Sequence, residues 1–150
     1  MKRTLRHLSG RRQHMLHERE LVKMPDILTE LQGLRTQVPH LTGGLVATTD
    51  GLVLAHDTNG LEPEGVAALT AAALSVGARL AEMTGQGVFQ ELLTRGEHGY
   101  IATYAVGTHV VLTLFAGANA NVGLLHFEGR RVGERIAVQT AALLQSHDRR

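Results

Sequence analysis

Apolar positions recur along the chain at two different spacings, and each spacing predicts a different kind of element. Between residues 25 and 37, the large apolar residues fall on one face of a helix: Ile27, Leu28, Leu31 and Leu34. Pro25 suits the first turn of that helix, because no amide partner is needed there. Val38-Pro39 predicts its end, since the residue before a proline is pushed out of the helical region.

The segment "GGLVATTDGLVLAHD" predicts two strands, at about 43–49 and 52–57, joined at Asp50-Gly51. Asp-Gly is a strong hairpin signal, because glycine accepts a positive φ without penalty. We expect the carboxylate of Asp50 to accept backbone N–H groups within this turn. A general acid or base would need a partner in reach, and the neighbouring residues supply none.

The next predicted helix, at about 63–84, has two apolar stripes. The large stripe contains Val66, Leu69, Ala73, Val76, Leu80 and Met83. The small stripe contains Ala67, Ala71, Leu74, Ala78 and Ala81. We expect the large stripe to lie on the domain's own sheet and the small one to let another backbone approach closely. The alternative is that alanine only reflects high helix propensity on an exposed face.

Three short strands follow, at about 88–95, 99–106 and 109–116, with turns short enough for an antiparallel meander. Asn119 or Asn121 is placed to cap a last helix that runs to about 145. The predicted order is α-β-β-α-β-β-β-α. This is an α+β fold, in which a five-stranded, largely antiparallel sheet carries helices on both faces.

Composition and charge divide the 150 residues into two parts. Residues 1–23 contain seven Lys or Arg and two Glu, a balance of +5, and the remaining eight Lys or Arg and twelve Asp or Glu give −4. We predict a basic arm at 1–23, mobile or weakly helical, before a single domain at 24–150. The arm is either a dispensable extension or an electrostatic contact for nucleic acid or an anionic lipid surface.

Several kinds of chemistry have little support in the sequence. The chain has no cysteine, which excludes disulfides, thiolate nucleophiles and thiolate zinc sites. The glycines at 85 and 87 lack the third glycine of a dinucleotide fingerprint, and "GANANVG" lacks the lysine of a phosphate loop. No run approaches about 20 apolar residues, and no secretory signal is recognised. A cytoplasmic protein is therefore expected.

Nine histidines raise the question of a metal site. His14 and His17 would share a helix face if the arm is helical, and His56-Asp57 offers a nitrogen and an oxygen ligand. Neither pair has a third ligand at a convincing spacing, and structural zinc sites need four. We therefore predict no metal ion, no cofactor and no catalytic residue.

The order of elements and four segments together resemble the roadblock/dynein light chain superfamily, especially its bacterial members. The matching segments are "GGLVATTDGLVLAHD", "GVAALTAAALSVGARLAEMTGQG", "GYIATYAVGTHVVLTLFAG" and "ANVGLLHFEGRRVGERI". The resemblance covers about residues 24–145, and the core of Asp50, Gly51, Leu52, Leu54 and Ala55 is its most specific element. The arm is not part of it.

The resemblance implies a non-enzymatic protein that forms a homodimer through its central helix and the strand that follows. On this chain the implied dimer interface contains Ala67, Ala71, Leu74, Ala78, Ala81, Val88, Phe89, Gln90, Glu91 and Leu92. Bacterial relatives work with small Ras-like GTPases, some of them as activators of GTP hydrolysis. The implied GTPase-facing residues are Ala68, Ala72, Ser75, Arg79 and Glu82.

Three other functions stay open beside a GTPase regulator. The protein could be an assembly adaptor that does not affect nucleotide turnover, or a small-molecule sensor, which needs an enclosed pocket. The third possible function is carried by the basic arm, through contact with nucleic acid or a membrane surface. The balance of −4 on the domain argues against a broad nucleic-acid footprint, and only weak contact of the arm with an anionic surface is expected.

Overall fold

A five-stranded antiparallel sheet carries three helices, two on one face and one on the other. The computed structural model describes residues 25–148, so the predicted arm at 1–23 and its histidines lie outside the described residues. The elements are α1 (Pro25–Gln37), β1 (Leu41–Thr48), β2 (Val53–Asp57), α2 (Pro63–Met83), β3 (Glu91–Gly96), β4 (Gly99–Val106), β5 (Val110–Gly117) and α3 (Val122–Asp148). The predicted fold class and element order are confirmed.

The strands lie in the order β2-β1-β5-β4-β3, and every neighbouring pair is antiparallel. The predicted β1–β2 hairpin and the meander of β3, β4 and β5 are both present. Pairing of β1 with β5 joins these two units into one sheet. As a result, β2 and β3 are the edge strands, and the outer edge of β3 has no partner within the described chain.

The main core lies between the sheet and the pair α1 and α3. The helix α1 contributes Ile27, Leu31 and Leu34, all buried, as its spacing predicted. Alternate residues of β4 and β5 face them, among them Leu112 and Leu114, which are fully buried. Aliphatic side chains dominate this core, because the chain has few aromatic residues.

Ion pairs at two points attach α1 to its neighbours. Arg35 donates from Nε to Asp57 on β2 at 2.5 Å and from Nη2 to the backbone oxygen of Thr42 at 2.8 Å. Arg135 of α3 holds the carboxylate of Glu30 on α1, with a shortest distance of 2.9 Å. Each pair joins elements that are distant in sequence and already adjacent through apolar packing.

The helix α3 begins one residue after Asn121, whose Oδ1 accepts the amide of Leu124 at 3.0 Å. Of the two candidates for this cap, Asn121 is therefore the one used. Leu125, Val132 and Ile136 lie on the buried side of α3, and their spacing of seven and four positions places them on one face of the helix.

The β1–β2 turn differs from the prediction in which side chain stabilises it. Gly51 has a φ of +88°, which the Asp-Gly signal implied. The side-chain acceptor within the turn is Thr48, however, whose Oγ1 accepts the amide of Leu52 at 3.1 Å. Asp50 is exposed and makes no hydrogen bond among the described residues. Its predicted role as acceptor is wrong, because Thr48 on the preceding strand already lies beside that amide.

The helix α2 covers the opposite face of the sheet, and it does so with its small residues. Ala67 is fully buried against Leu45 and Ala47 of β1, and Thr70 is also buried. The prediction that the large stripe lies on the sheet is therefore wrong for most of that stripe, although Val66 at its start does pack against these buried residues. Small side chains let the helix approach this face of the sheet closely, because larger residues of the sheet, including Phe115, fill the space between them.

By length and composition, α2 is the one helix within residues 25–148 that could cross a membrane, with a mean hydropathy of 1.4. The helix contains no uninterrupted apolar run, because Thr70, Ser75 and Arg79 interrupt it without making the segment polar overall. Composition alone does not distinguish a spanning helix from one that contacts protein, and α2 packs on the sheet through Ala67 and Thr70.

Candidate interaction surface

The outward side of α2 carries a row of large apolar side chains that no other described part of the chain covers. This apolar strip consists of Leu69, Val76, Leu80 and Met83, which are between 62% and 79% exposed. Their spacing of seven, four and three positions makes one continuous strip along the helix. Monomeric soluble proteins rarely leave large contiguous apolar surfaces in water, so the strip is a candidate contact surface.

A second exposed surface of α2 runs beside the apolar strip. This polar arc contains the predicted GTPase-facing residues, all of which are exposed: Ala68, Ala72, Ser75, Arg79 and Glu82. The β1–β2 turn lies against its first residue, since a β-carbon on Gly51 would be 3.3 Å from Cα of Ala68. The arc is accessible to a partner, and its contact with a GTPase stays a prediction.

The predicted interface segment 88–92 has an exposed part and an anchored part. Val88 is 84% exposed, whereas the ring of Phe89 lies against the backbone of Gly77 on α2. The strand β3 begins only at Glu91, three residues later than predicted. Gly87 has a φ of +88°, outside the β region, so regular strand geometry begins only after it.

A polar cluster joins the start of β3 to α3. Arg130 of α3 forms a bidentate ion pair with Glu91, donating from Nε at 2.8 Å and also from Nη2. The hydroxyl of Tyr104 lies 2.8 Å from Nδ1 of His126, and that nitrogen lies 3.9 Å from the carboxylate of Glu91. The cluster therefore holds the first residue of the edge strand against the helix behind it.

Burial and charge in this cluster shift three pKa values. The hydrogen bond from Arg130 lowers the pKa of Glu91, and desolvation opposes it. Burial raises the pKa of Tyr104 well above its ordinary value, and the nearby charge of Glu91 adds to that shift. The pKa of Arg130 is raised by the same hydrogen bond to Glu91. At neutral pH the cluster therefore contains a carboxylate, a guanidinium and a neutral phenol.

The pH dependence of stability follows from the lowered pKa of Glu91. A folded-state pKa below the ordinary value of 4.5 stabilises the fold above that pH, and the contribution is lost as the pH falls through the folded-state pKa. We expect Glu91→Gln to lower the urea midpoint at pH 7 and to change it less at pH 3. Equal shifts of the midpoint at both pH values would contradict this expectation.

An open groove of about 900 Å³ extends from the C-terminal end of α2 to α3. Leu80, Ala81 and Phe89 contribute apolar surface to it, and Glu91 and Arg130 contribute the charged side. Because Leu80 belongs to both, the groove is continuous with the apolar strip. The groove is open to solvent, so it lacks the enclosure that a small-molecule sensor would need.

Of the candidate metal ligands, the described pair His56 and Asp57 is engaged in other contacts. The carboxylate of Asp57 accepts the guanidinium of Arg35, and Nδ1 of His56 lies 3.1 Å from Oγ1 of Thr58. Within residues 25–148, no group of three or more His, Asp or Glu side chains could hold a metal ion. His14 and His17 lie outside that range.

Sequence reasoning did not identify the polar cluster or the exposure of the apolar strip. Glu91 and Arg130 are separated by 39 positions, and no local motif connects them. The spacing of the residues in the apolar strip predicted that they share one face of the helix, but spacing alone does not indicate whether that face is buried or exposed.

Solved structures with the same fold come from several bacteria. A Roadblock/LC7 domain from Streptomyces avermitilis is 22% identical, with a TM-score of 0.70 over 76% of this chain and 97% of that chain. MglB from Myxococcus xanthus is 16% identical, with a TM-score of 0.73 over 79% and 97%. The gliding protein MglB from Thermus thermophilus is 24% identical, with a TM-score of 0.67 over 74% and 85%. These likenesses show the fold.

Comparison of the sequence itself identifies a domain family. No curated protein sequence matches this chain. The family model of the Roadblock/LC7 domain matches residues 27–116, from the first turn of α1 to the end of β5. That range includes the β1–β2 hairpin, the whole of α2 and the edge strand β3, and so contains both exposed surfaces of α2. The chain therefore belongs to the Roadblock/LC7 domain family.

Proposed function

We propose that this protein is a homodimeric regulator of a small Ras-like GTPase, that it stimulates GTP hydrolysis, and that it acts in the cytoplasm. The observation that carries the proposal is the apolar strip of α2, which lies on the same domain as the open outer edge of β3. A regulator of this kind works by contact, and both of these surfaces lack a partner within residues 25–148.

A second copy of the chain is the partner that fits the apolar strip. In a two-fold symmetric dimer the same strip is used by both copies, so each buries the other's apolar side chains. Pairing of β3 with its copy would cover the open edge in the same assembly. Ala67 is already buried within the chain, so the apolar strip takes the place of the small stripe in this proposal. Val88 remains in the interface.

The polar arc is the surface that we assign to the GTPase. Bacterial proteins that this chain resembles work with small Ras-like GTPases, and the arc stays exposed beside the apolar strip. Its residues are small except for Arg79 and Glu82, so a partner could approach the helix closely at Ala68, Ala72 and Ser75. The resemblance supports a regulator without an active site of its own.

The test is binding and turnover with candidate GTPases, which are first captured from cell extract on the immobilised protein and identified. Each is purified, loaded with GDP or with a non-hydrolysable GTP analogue, and titrated with the protein. We expect tighter binding in one nucleotide state and faster GTP hydrolysis in the presence of the protein. Equal or absent binding in both nucleotide states would contradict the proposal.

Arg79 provides an internal control for the mechanism. An arginine finger supplied to a GTPase raises turnover by about 10³–10⁵-fold, so its removal would abolish stimulation. We expect Arg79→Ala to lower stimulation by less than about tenfold, because the resemblance supplies no family-wide catalytic arginine there. Binding that depends on the nucleotide but leaves turnover unchanged would instead identify the protein as an adaptor.

A further inference from the structure

The contact between α2 and the sheet contains few fully buried residues. Of the 21 residues of α2, only Ala67 and Thr70 are buried, and both lie in its N-terminal half. Within the described chain, no ion pair involves α2, and Thr70 uses its hydroxyl on the backbone oxygen of Ala67 in the same helix. The C-terminal half of α2 must therefore be held in place by other contacts.

The ring of Phe89 makes one such contact. A β-carbon built on Gly77 would lie 2.6 Å from Cε2 and 3.0 Å from Cδ2 of that ring. No side chain larger than hydrogen fits between the helix backbone and the ring without displacing one of them. Glycine is unfavourable in a helix interior by about 1 kcal/mol relative to alanine. The contact with Phe89 explains why glycine nevertheless occupies position 77.

The chain that carries Phe89 connects the end of α2 to the first residue of β3. Gly85 and Gly87 in this connection have φ values of +75° and +88°, a conformation that other residues rarely adopt. Val88 points into solvent, and Phe89 turns in the opposite direction, onto the helix. Two residues later, Glu91 is held by Arg130. Phe89 thus lies between a helix with few buried anchors and a firmly held strand.

We infer that Phe89 is a positioning residue, which sets the placement of the C-terminal half of α2 relative to β3 by packing on Gly77. Leu80 and Met83 of the apolar strip lie within one to two turns of this contact. The placement therefore determines whether the strip and the edge of β3 can meet a second copy at the same time. This consequence for assembly rests on the proposed homodimer, whereas the packing of Phe89 on Gly77 does not.

The sheet side of α2 has a second sign of incomplete packing. The hydroxyl of Thr113 on β5 is buried and has no hydrogen-bond partner. Thr113 pairs with Leu45, which packs in the cluster beneath α2, so the two residues share that face of the sheet. A buried hydroxyl without a partner is unfavourable, so this side of the sheet contributes less to holding α2 than a fully satisfied contact would.

The test compares Gly77→Ala, Phe89→Leu and the double variant with the wild-type protein. Gly33→Ala is the matched control, because Gly33 is also within a helix and a β-carbon there would meet nothing within 4 Å. Hydrogen–deuterium exchange is measured by peptide mass spectrometry on the full chain. Sedimentation measures the dimer dissociation constant.

We expect Gly77→Ala to raise the exchange rate of the amides between about 76 and 90 by about tenfold, while the exchange of α1 and β5 is unchanged. Phe89→Leu should raise the same rates less, because no atom is forced into the helix. In the double variant the smaller side chain leaves room for the new methyl group, so the exchange should return toward that of the wild-type protein. Gly33→Ala should change none of these regional rates.

The dimer dissociation constant should rise in the same variants in which the exchange rates of the amides between about 76 and 90 rise. We expect the weakest association in Gly77→Ala and recovery in the double variant. Additive effects of the two substitutions on exchange, or no change in Gly77→Ala, would overturn the inference. If Gly77→Ala fails to fold, Phe89→Leu alone must still raise exchange in this segment, and an unchanged rate would overturn the inference. A monomeric wild-type protein with the expected exchange pattern would contradict the homodimer and support the role of Phe89.

Discussion

Replacement of Val76 by glutamate is expected to convert the dimer into a folded monomer. Val76 is the middle residue of the apolar strip and is 67% exposed in the single chain, so a carboxylate there stays in water and leaves the domain stable. In a two-fold dimer the substitution occurs twice, and each carboxylate would be buried without a partner, at a cost of several kcal/mol. Sedimentation should show a dissociation constant raised by about a hundredfold or more.

Ser75→Glu is the control for this experiment. Ser75 is the adjacent residue, but one helical position turns it by about 100° onto the polar arc, away from the strip. It is exposed, so the same charge is added to the same helix with the same effect on net charge. We expect Ser75→Glu to remain a dimer. If Val76→Glu also remains a dimer, or if both variants dissociate alike, the apolar strip is not the contact.

The elements of this fold could be predicted because their signals are local. The helix predicted over 25–37 is α1 as observed, and the strand predicted over 99–106 is β4. In both, the period of apolar residues lies within the element itself and the boundary signal lies directly beside it, as Val38-Pro39 does at the end of α1. The predicted start of β3 was less accurate, because it depends on the backbone conformation of Gly87 and on where pairing with β4 begins.

The orientation of α2 could not be predicted by the same reasoning. Two apolar stripes run along this helix, and the usual rule places the larger side chains inward. Here the buried side is decided by the sheet, where Leu45 and Phe115 already fill the space and Ala67 fits against them. That information lies on strands far along the chain. Four of the six residues of the large stripe, the ones that form the apolar strip, remain exposed, and this moves the proposed interface from the small stripe to the apolar strip.

The polar cluster around Glu91 depends on tertiary structure alone. Its four members come from β3, β4 and α3, and each is unremarkable in its own segment: Glu91, Tyr104, His126 and Arg130. Glu91 was predicted only as part of a strand at the dimer interface. Its ion pair with Arg130 instead directs the carboxylate toward α3 within the same chain. Sheet topology brings these side chains together, and topology follows from all the elements at once.

Among the glycines on the buried side of α3, Gly129 is the one whose replacement by alanine we expect to destabilise the fold most. A β-carbon at this position would lie 2.8 Å from Cζ and 2.9 Å from Cε2 of the Tyr104 ring. That ring is 3% exposed, and its hydroxyl is 2.8 Å from His126, so it cannot rotate into solvent. Overpacking of this kind lowers the free energy of unfolding by about 1–3 kcal/mol, more than the helix propensity of alanine returns.

Gly133→Ala is the matched control, one turn further along the same buried side of α3. There the nearest atom to a β-carbon is Cγ2 of Val106 at 3.5 Å, an ordinary contact. The free energy of unfolding should be unchanged or raised by up to about 1 kcal/mol, because alanine favours the helix. Urea unfolding is followed by circular dichroism at one protein concentration, since the stability of a dimer depends on concentration. Equal stabilities of the two variants would contradict a rigid Tyr104 ring, because a mobile ring would accept the new methyl group at 129 as easily as Val106 accepts it at 133.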